Sequence, residues 1–194
     1  MTFTYARDKI LYVILYINMA YVPQKIKEKI MKKVAILMGS DSDLPIVEKG
    51  INVLKEYGVP FEVHVYSAHR TPVQTAEFVS NAKENGFGVI IAAACMAAHL
   101  AGAVAANTVL PVIGIPVSCK NTGGVDALWA TVQMPSGIPV ATVAIDGAAN
   151  AALLAVEMLA LSDDELYNKL VLARKAGEEK VLEKNKAVEE KYNK

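Results

Sequence analysis

Short runs of apolar and β-prone residues recur along this chain, each followed by a cluster of small or polar residues and, in most cases, by a segment with helical patterning. Residues 34–38, 61–66, 89–93, 112–115 and 139–145 are such runs. Several are continuous rather than alternating, the signature of strands buried on both faces of a parallel sheet. Between them, residues 43–57 carry Leu44, Val47, Ile51, Val53 and Leu54 at near-helical spacing and stop at Gly58. Pro72 opens a second predicted helix that runs through Ala82. Further helices are predicted over 97–107, 150–161 and 163–191. Strand, loop and helix repeated in this way give βαβ units with right-handed crossovers, and hence an α/β, doubly wound parallel sheet.

The 194 residues suffice for one substantial core, and 53% hydrophobic with only 7% aromatic content suits aliphatic strands under helices. Lys plus Arg and Asp plus Glu each number 20, so no basic surplus argues for nucleic acid. Small molecules and self-association remain as partners. Cys95 and Cys119 have no metal-ligand spacing, which reads as reduced structural thiols in a cytoplasmic protein. Residues 1–30 stand apart. Their apolar stretch, 10–22, is too short for the roughly 20 residues that span a bilayer, so no membrane role is expected. Three readings of this extension stay open: a dispensable extension or upstream-start artefact ahead of a natural beginning at Met31, a structured appendage, or a targeting or membrane-surface segment. The last predicted helix, 163–191, carries Leu166, Leu170, Val171, Ala173, Val181, Leu182 and Val188. That face packs on a neighbouring subunit or belongs to an ordinary solvated helix.

Ligands of open α/β sheets bind beyond the carboxyl ends of the strands. Polar clusters follow the first three predicted strands here. At 39–43, Gly39 permits a tight turn, Ser40 and Ser42 can donate to an anion at a helix start, and Asp43 suits sugar hydroxyls; capping by Ser42 or Asp43 is the plainer alternative. The cluster has neither a P-loop lysine nor dinucleotide-fingerprint spacing. At 67–70, Arg70 supplies a forked permanent cation beside Ser67 and Ala68. His69 there brings an imidazole, the side-chain type suited to both taking and giving a proton. At 94–100, Ala94, Cys95 and the alanines beyond allow a flat ligand to approach the backbone. Cys95 reads as a packed thiol more than a nucleophile. His99 falls inside a predicted helix, where structural and site roles both stand, and His64 is assigned none. No clustered ligand pattern argues for a metal.

In this order these residues resemble the N5-carboxyaminoimidazole ribonucleotide mutase family, the catalytic-subunit type of phosphoribosylaminoimidazole carboxylase. The matching stretches are MGSDSD at 38–43, SAHRTP at 67–72, AAHL at 97–100, LPVIGIP at 110–116, GVDAL at 124–128, VQMP at 132–135, GIPV at 137–140 and AANAALL at 148–154. The resemblance covers about residues 31–161. It implies a three-layer flavodoxin-like fold assembled as a homo-octamer without metal or organic cofactor. The implied substrate is a carboxylated aminoimidazole ribonucleotide of purine (IMP) biosynthesis. Residues 31–161 would form the catalytic domain and 162–194 a C-terminal helix. Ser40, Ser42, Ser67 and Arg70 would hold the phosphate and nearby groups, and Asp43 the ribose. Ala68, Ala94, Cys95, His99 and Leu100 would complete the substrate contacts. His69 would be catalytic, removing the C4 proton after carbon dioxide leaves the exocyclic nitrogen and is recaptured at C4. Ala94, Ala97 and Ala98 would line the small pocket that traps the gas.

The chain departs from the family where many members have glycines before AAHL and a proline after it. Here those positions are Ala93, Ala94, Cys95 and Met96, with Ala101 in place of the proline. Two rivals accompany the mutase reading. One is an aminoimidazole ribonucleotide carboxylase using dissolved carbon dioxide. The other is a non-catalytic nucleotide-binding module, which the same sheet can host.

Overall fold

The computed structural model describes residues 31–193, so the expectation for residues 1–30 lies outside the described residues. Its centre is β1 (Lys33–Met38), whose side chains from Val34 to Met38 are all buried. β1 pairs in parallel with β2 (Phe61–Val65) on one side and β3 (Phe87–Cys95) on the other. β4 (Val112–Val117) and the two-residue β5 (Ala141–Thr142) extend the sheet beyond β3, giving the order β2-β1-β3-β4-β5, all parallel. The direction of winding reverses between β1 and β3, which is where such sheets open a crevice for ligands.

Helices cover both faces. α1 (Leu44–Tyr57) and α5 (Ala148–Ala160) pack on each other on one face. On the other, α2 (Pro72–Ser80) and α3 (Leu100–Ala105) enclose a cluster that includes Ala35, Leu37, Val79, Phe87, Ile90 and Val104. α4 (Val125–Val132) lies beside β4 and β5. Gly114 of β4 belongs there, since a Cβ on it would come within 2.4 Å of Thr131 Cγ2. Among the described residues no helix is long and apolar enough to cross a membrane.

Several expected boundaries move, for physical reasons. β3 reaches Cys95, so Ala94 and Cys95 end the strand rather than follow it. The helix expected over 97–107 shortens to 100–105, because Met96 adopts a left-handed φ of 51° and the following turn is closed by Ala98 N–H to Met96 O and His99 N–H to Ala97 O, both 2.8 Å. His99 therefore stands at the N-cap of α3 instead of inside it. The strand expected over 139–145 has only two residues in the ladder, although Val143 N–H to Gly114 O and Asp146 N–H to Pro116 O keep the segment alongside β4. α4 was not expected at all. It buries Ala127 and Thr131 while leaving Val125, Trp129 and Val132 half-exposed, the reverse of an ordinary apolar stripe.

α6 (Asp164–Tyr192) is 29 residues long, about 43 Å at 1.5 Å per residue. Asp163 caps it, accepting from Glu165 N–H and Leu166 N–H. Leu166 and Leu170 are buried, and Arg174 pairs with Glu157 of α5. Beyond Leu170 every described residue of the helix is exposed, Val181 at 64% and Leu182 at 59% among them.

α1 and α5 approach closely at Gly50, where a Cβ would lie 2.7 Å from the Ala148 carbonyl oxygen. Overpacking of this kind costs about 1–3 kcal/mol, against about 1 kcal/mol gained from alanine's helix propensity. Gly50→Ala is therefore expected to destabilise the fold by about 1 kcal/mol, read as a lower denaturation midpoint with unchanged slope.

Candidate active site

The register fixes where the site forms. Met38 is paired with Val65 on one side and Ala93 on the other, so the chain leaves β1, β2 and β3 at nearly one level. Gly39 N–H donates to Ala93 O at 3.1 Å and Tyr66 N–H to Met38 O at 2.9 Å, continuing the pairing into the loops. Gly39 does not have a left-handed φ, and a Cβ there would meet nothing closer than 3.9 Å. The chain bends at Gly39 and Ser40 without a left-handed φ, and the missing side chain leaves open space on the pocket wall.

The loop after β1 forms a 3₁₀ turn, Asp41–Asp43, capped by Ser40, whose Oγ accepts from Ser42 N–H at 3.3 Å and donates to Asp41 at 3.2 Å. Asp43 stands at the N-cap position of α1, as one of the two foreseen there, but makes no side-chain capping bond, and the capping hydroxyl of the loop is that of Ser40. Asp43 is only 2% exposed yet lines the pocket. Burial raises its pKa, with partial relief from the Ser40 backbone and the Ser42 hydroxyl.

After β2, Ser67 Oγ accepts from His69 N–H at 3.3 Å and from Arg70 N–H at 3.2 Å. Both of its lone pairs are then engaged, and its own proton is left for a ligand. Thr71 closes the same turn, accepting from Ser67 N–H at 2.8 Å and donating to Ser67 O at 3.2 Å. Sequence reasoning missed this support, although its signal, a threonine four residues after the serine, was present. Arg70 Nη2 donates to Gly39 O at 2.7 Å, tying the second loop to the first while the rest of the guanidinium faces solvent.

The third loop supplies the partner of the candidate base. His69 Nε2 lies 2.9 Å from His99 Nδ1, with the rings edge to face. One of these two nitrogens carries the proton and the other accepts it, so the tautomer of each ring is set by its partner. The N-cap position that displaced His99 from the helix is what turns it toward His69. A cavity of about 490 Å³ opens between the three loops. It is lined by Gly39, Ser40, Ser42, Asp43, Ser67, Ala68, His69, Arg70, Ala94, Cys95, Met96, Ala97 and Leu100. Ala98 was expected on this wall but is buried behind it.

Cys95 and His64 sit in different surroundings. Burial raises the Cys95 thiol pKa, with Asp43 and Cys119 adding to the shift, as for a packed thiol. His64 stacks on Tyr66 and leans on Phe78, away from the cavity, and its nearest acceptor is Glu62 at 3.5 Å. A larger cleft of about 840 Å³ lies near the start of β4, bordered by Leu110, Ile138 and Met158. Among the described residues its only ionisable side chain is Lys83, which makes it poor ground for acid–base chemistry.

The AIR carboxylase family model matches residues 33–180. The chain belongs to this family. It is 53% identical over 157 residues to the N5-carboxyaminoimidazole ribonucleotide mutase of Pyrococcus horikoshii, an alignment that covers 81% of this chain and 89% of that one. The mutase of Methanocaldococcus jannaschii is 52% identical over 159 residues, 82% of this chain and 99% of its own. The crystal structure of Treponema denticola PurE superposes with a TM-score of 0.73 at 28% identity, covering 84% of this chain and 99% of that chain. The three-layer flavodoxin-like fold is thereby shared.

Asp43 offers a test of what this family site costs the fold. Its native pKa is raised, so the protonated form favours folding below the unfolded value of about 3.9, and that benefit is lost as pH rises through the native value. At pH 7 the buried carboxylate therefore works against stability. Asp43→Asn is expected to raise the thermal midpoint at pH 7 by on the order of 2–4 °C, with the difference disappearing near pH 3. A melting series across pH checks this.

Proposed function

We propose that the chain is an N5-carboxyaminoimidazole ribonucleotide mutase, moving a carboxylate from the exocyclic nitrogen of its substrate to ring C4 in purine biosynthesis. The observation that carries this reading is the hydrogen-bonded pair of His69 with His99, His69 lining a cavity that also holds Ala94, Ala97 and the anion donors Ser42, Ser67 and Arg70, in a chain more than half identical over the aligned residues to proteins named as that mutase. We assign Ser40, Ser42, Ser67 and Arg70 to the phosphate and nearby groups, and Asp43 to the ribose hydroxyls. Ala68, Ala94, Cys95 and Leu100 contact the base and the migrating group.

The proton balance suits a single acid–base residue. Breaking the nitrogen–carboxyl bond leaves the exocyclic nitrogen needing a proton, and forming the bond at C4 leaves that carbon with one to lose. His69 delivers the first and removes the second, and carbon dioxide waits between the steps against Ala94 and Ala97. No net proton enters or leaves. His99 fixes the His69 tautomer and holds its ring at the mouth. A ligand that closes the cavity would hold the gas and exclude water, which favours transfer over exchange with solvent.

We assign residues 31–161 to the catalytic domain and 162–194 to a helix that packs on neighbouring copies in a homo-octamer. The exposed apolar residues of α6 beyond Leu170 support that assembly. A cytoplasmic location accords with purine synthesis.

His69→Asn should lower kcat by on the order of 10²–10⁴-fold while ligand affinity stays within about threefold, measured by turnover and calorimetry. Wild-type protein given carboxyamino substrate in ¹³C-bicarbonate should form product whose carboxylate is unlabelled. Label entering from the medium, with turnover only at high bicarbonate, would establish the carboxylase reading instead. Retained ligand binding with no turnover by wild type would establish a binding module.

A further inference from the structure

The loop that follows β3 begins with Met96, whose φ of 51° lies in the left-handed region. Glycine reaches that region freely, whereas a side chain there crowds its own backbone. The conformation starts the turn closed by Ala98 N–H to Met96 O and His99 N–H to Ala97 O, which sets His99 just before α3. That task concerns the main chain, and a glycine would meet it with less strain. Burial does not account for the methionine either. The residue is 56% exposed, so the core gains little from it. Yet Met96 lines the cavity between the three loops.

The other apolar residues of that wall are too short or too firmly held to reach over a ligand. Ala68, Ala94 and Ala97 end in a methyl. Cys95, which ends β3, carries a single sulfur beyond its Cβ. Leu100 is 2% exposed and belongs to the cluster enclosed by α2 and α3. Among the described apolar wall residues, Met96 joins length, a chain of rotatable bonds and freedom from the core. We propose that Met96 is the cover of this site: its thioether side chain settles on the flat heterocycle of a bound ribonucleotide and closes the cavity over the migrating carbon dioxide. Retention of the gas rests on the mutase reading given above; the contact with a flat ring does not.

The chemistry of the side chain suits the task. A thioether makes favourable contacts with aromatic rings and offers water only a weak acceptor. An unbranched chain can stand aside while a ligand enters and settle once the ring is in place. The anion donors Ser42, Ser67 and Arg70 come from the loops after β1 and β2, whereas Met96 comes from the loop after β3. A ligand held at its phosphate by the first two loops therefore leaves another part to be met by the third. Carbon dioxide itself carries no charge for a donor to grip. Closing its way out, with water excluded, is what keeps it beside the ring.

The test compares the full wild-type chain with Met96→Gly, which removes the side chain and relaxes the backbone, and Met96→Leu, which keeps an apolar chain of similar size. Without ligand, the thermal midpoint of Met96→Gly is expected to be level or raised by up to about 3 °C. A lower midpoint would show that the methionine serves packing and would overturn the inference. Affinity for the 4-carboxyaminoimidazole product, read by calorimetry, should fall about two- to tenfold in Met96→Gly and stay within about twofold of wild type in Met96→Leu. Given carboxyamino substrate, Met96→Gly should release decarboxylated ribonucleotide, above the spontaneous rate, in a share about tenfold that of wild type. Unchanged affinity in Met96→Gly would overturn the contact with the ring, whatever the partition. Weaker binding with an unchanged partition would overturn the retention of the gas. Wild type that binds the ribonucleotide without converting substrate would sink the mutase reading, and the affinities alone would then decide the cover. Wild type that binds no ribonucleotide would overturn both.

Discussion

The pairing of β1 with strands on both sides is the constraint from which the rest follows. Because Met38 is level with Val65 and with Ala93, three loops leave the sheet together and must share one small space. Backbone bonds carry that alignment past the strand ends, and Arg70 fastens the second loop to the carbonyl of Gly39 in the first. The site is thus an outcome of strand register. A slip of one residue in either ladder would turn every side chain of that strand to the opposite face and separate the groups that now converge.

Positioning costs are visible around this space. Asp43 keeps a carboxylate in a buried position that raises its pKa, and Met96 holds a left-handed backbone that side chains other than glycine rarely adopt. Both lie within the cavity wall. Local sacrifice of stability at such places is the usual mark of residues kept for what they contact rather than for what they contribute to the core. The Met96 backbone also explains the position of His99, since the turn it begins delays the start of α3 until Leu100.

Much of this was legible in the sequence, and the exceptions share a cause. The continuous run 34–38 and the Leu44–Leu54 spacing announce their elements because burial on both faces, or on one stripe, leaves a periodic trace. The clusters at 39–43 and 67–70 were legible as a site because polar residues at strand ends have no core to serve. The distance between His69 and His99 was not legible, because it depends on a single left-handed residue that local pattern does not encode. α4 escaped for a related reason: its exposed side chains are the apolar ones, so its periodicity points away from its own core. β5 escaped in part because isolated bonds to β4, rather than a regular ladder, hold most of its segment in place.

Ser67 carries a consequence that reaches the ligand. A free hydroxyl is ambidextrous and greets donors and acceptors alike, but this one has committed both lone pairs to the amides of His69 and Arg70. What remains is a one-way reader that recognises only an oxygen with electron pairs to offer. The polarity of whatever meets this hydroxyl is therefore set by the spacing of two backbone amides, without requiring another positive charge.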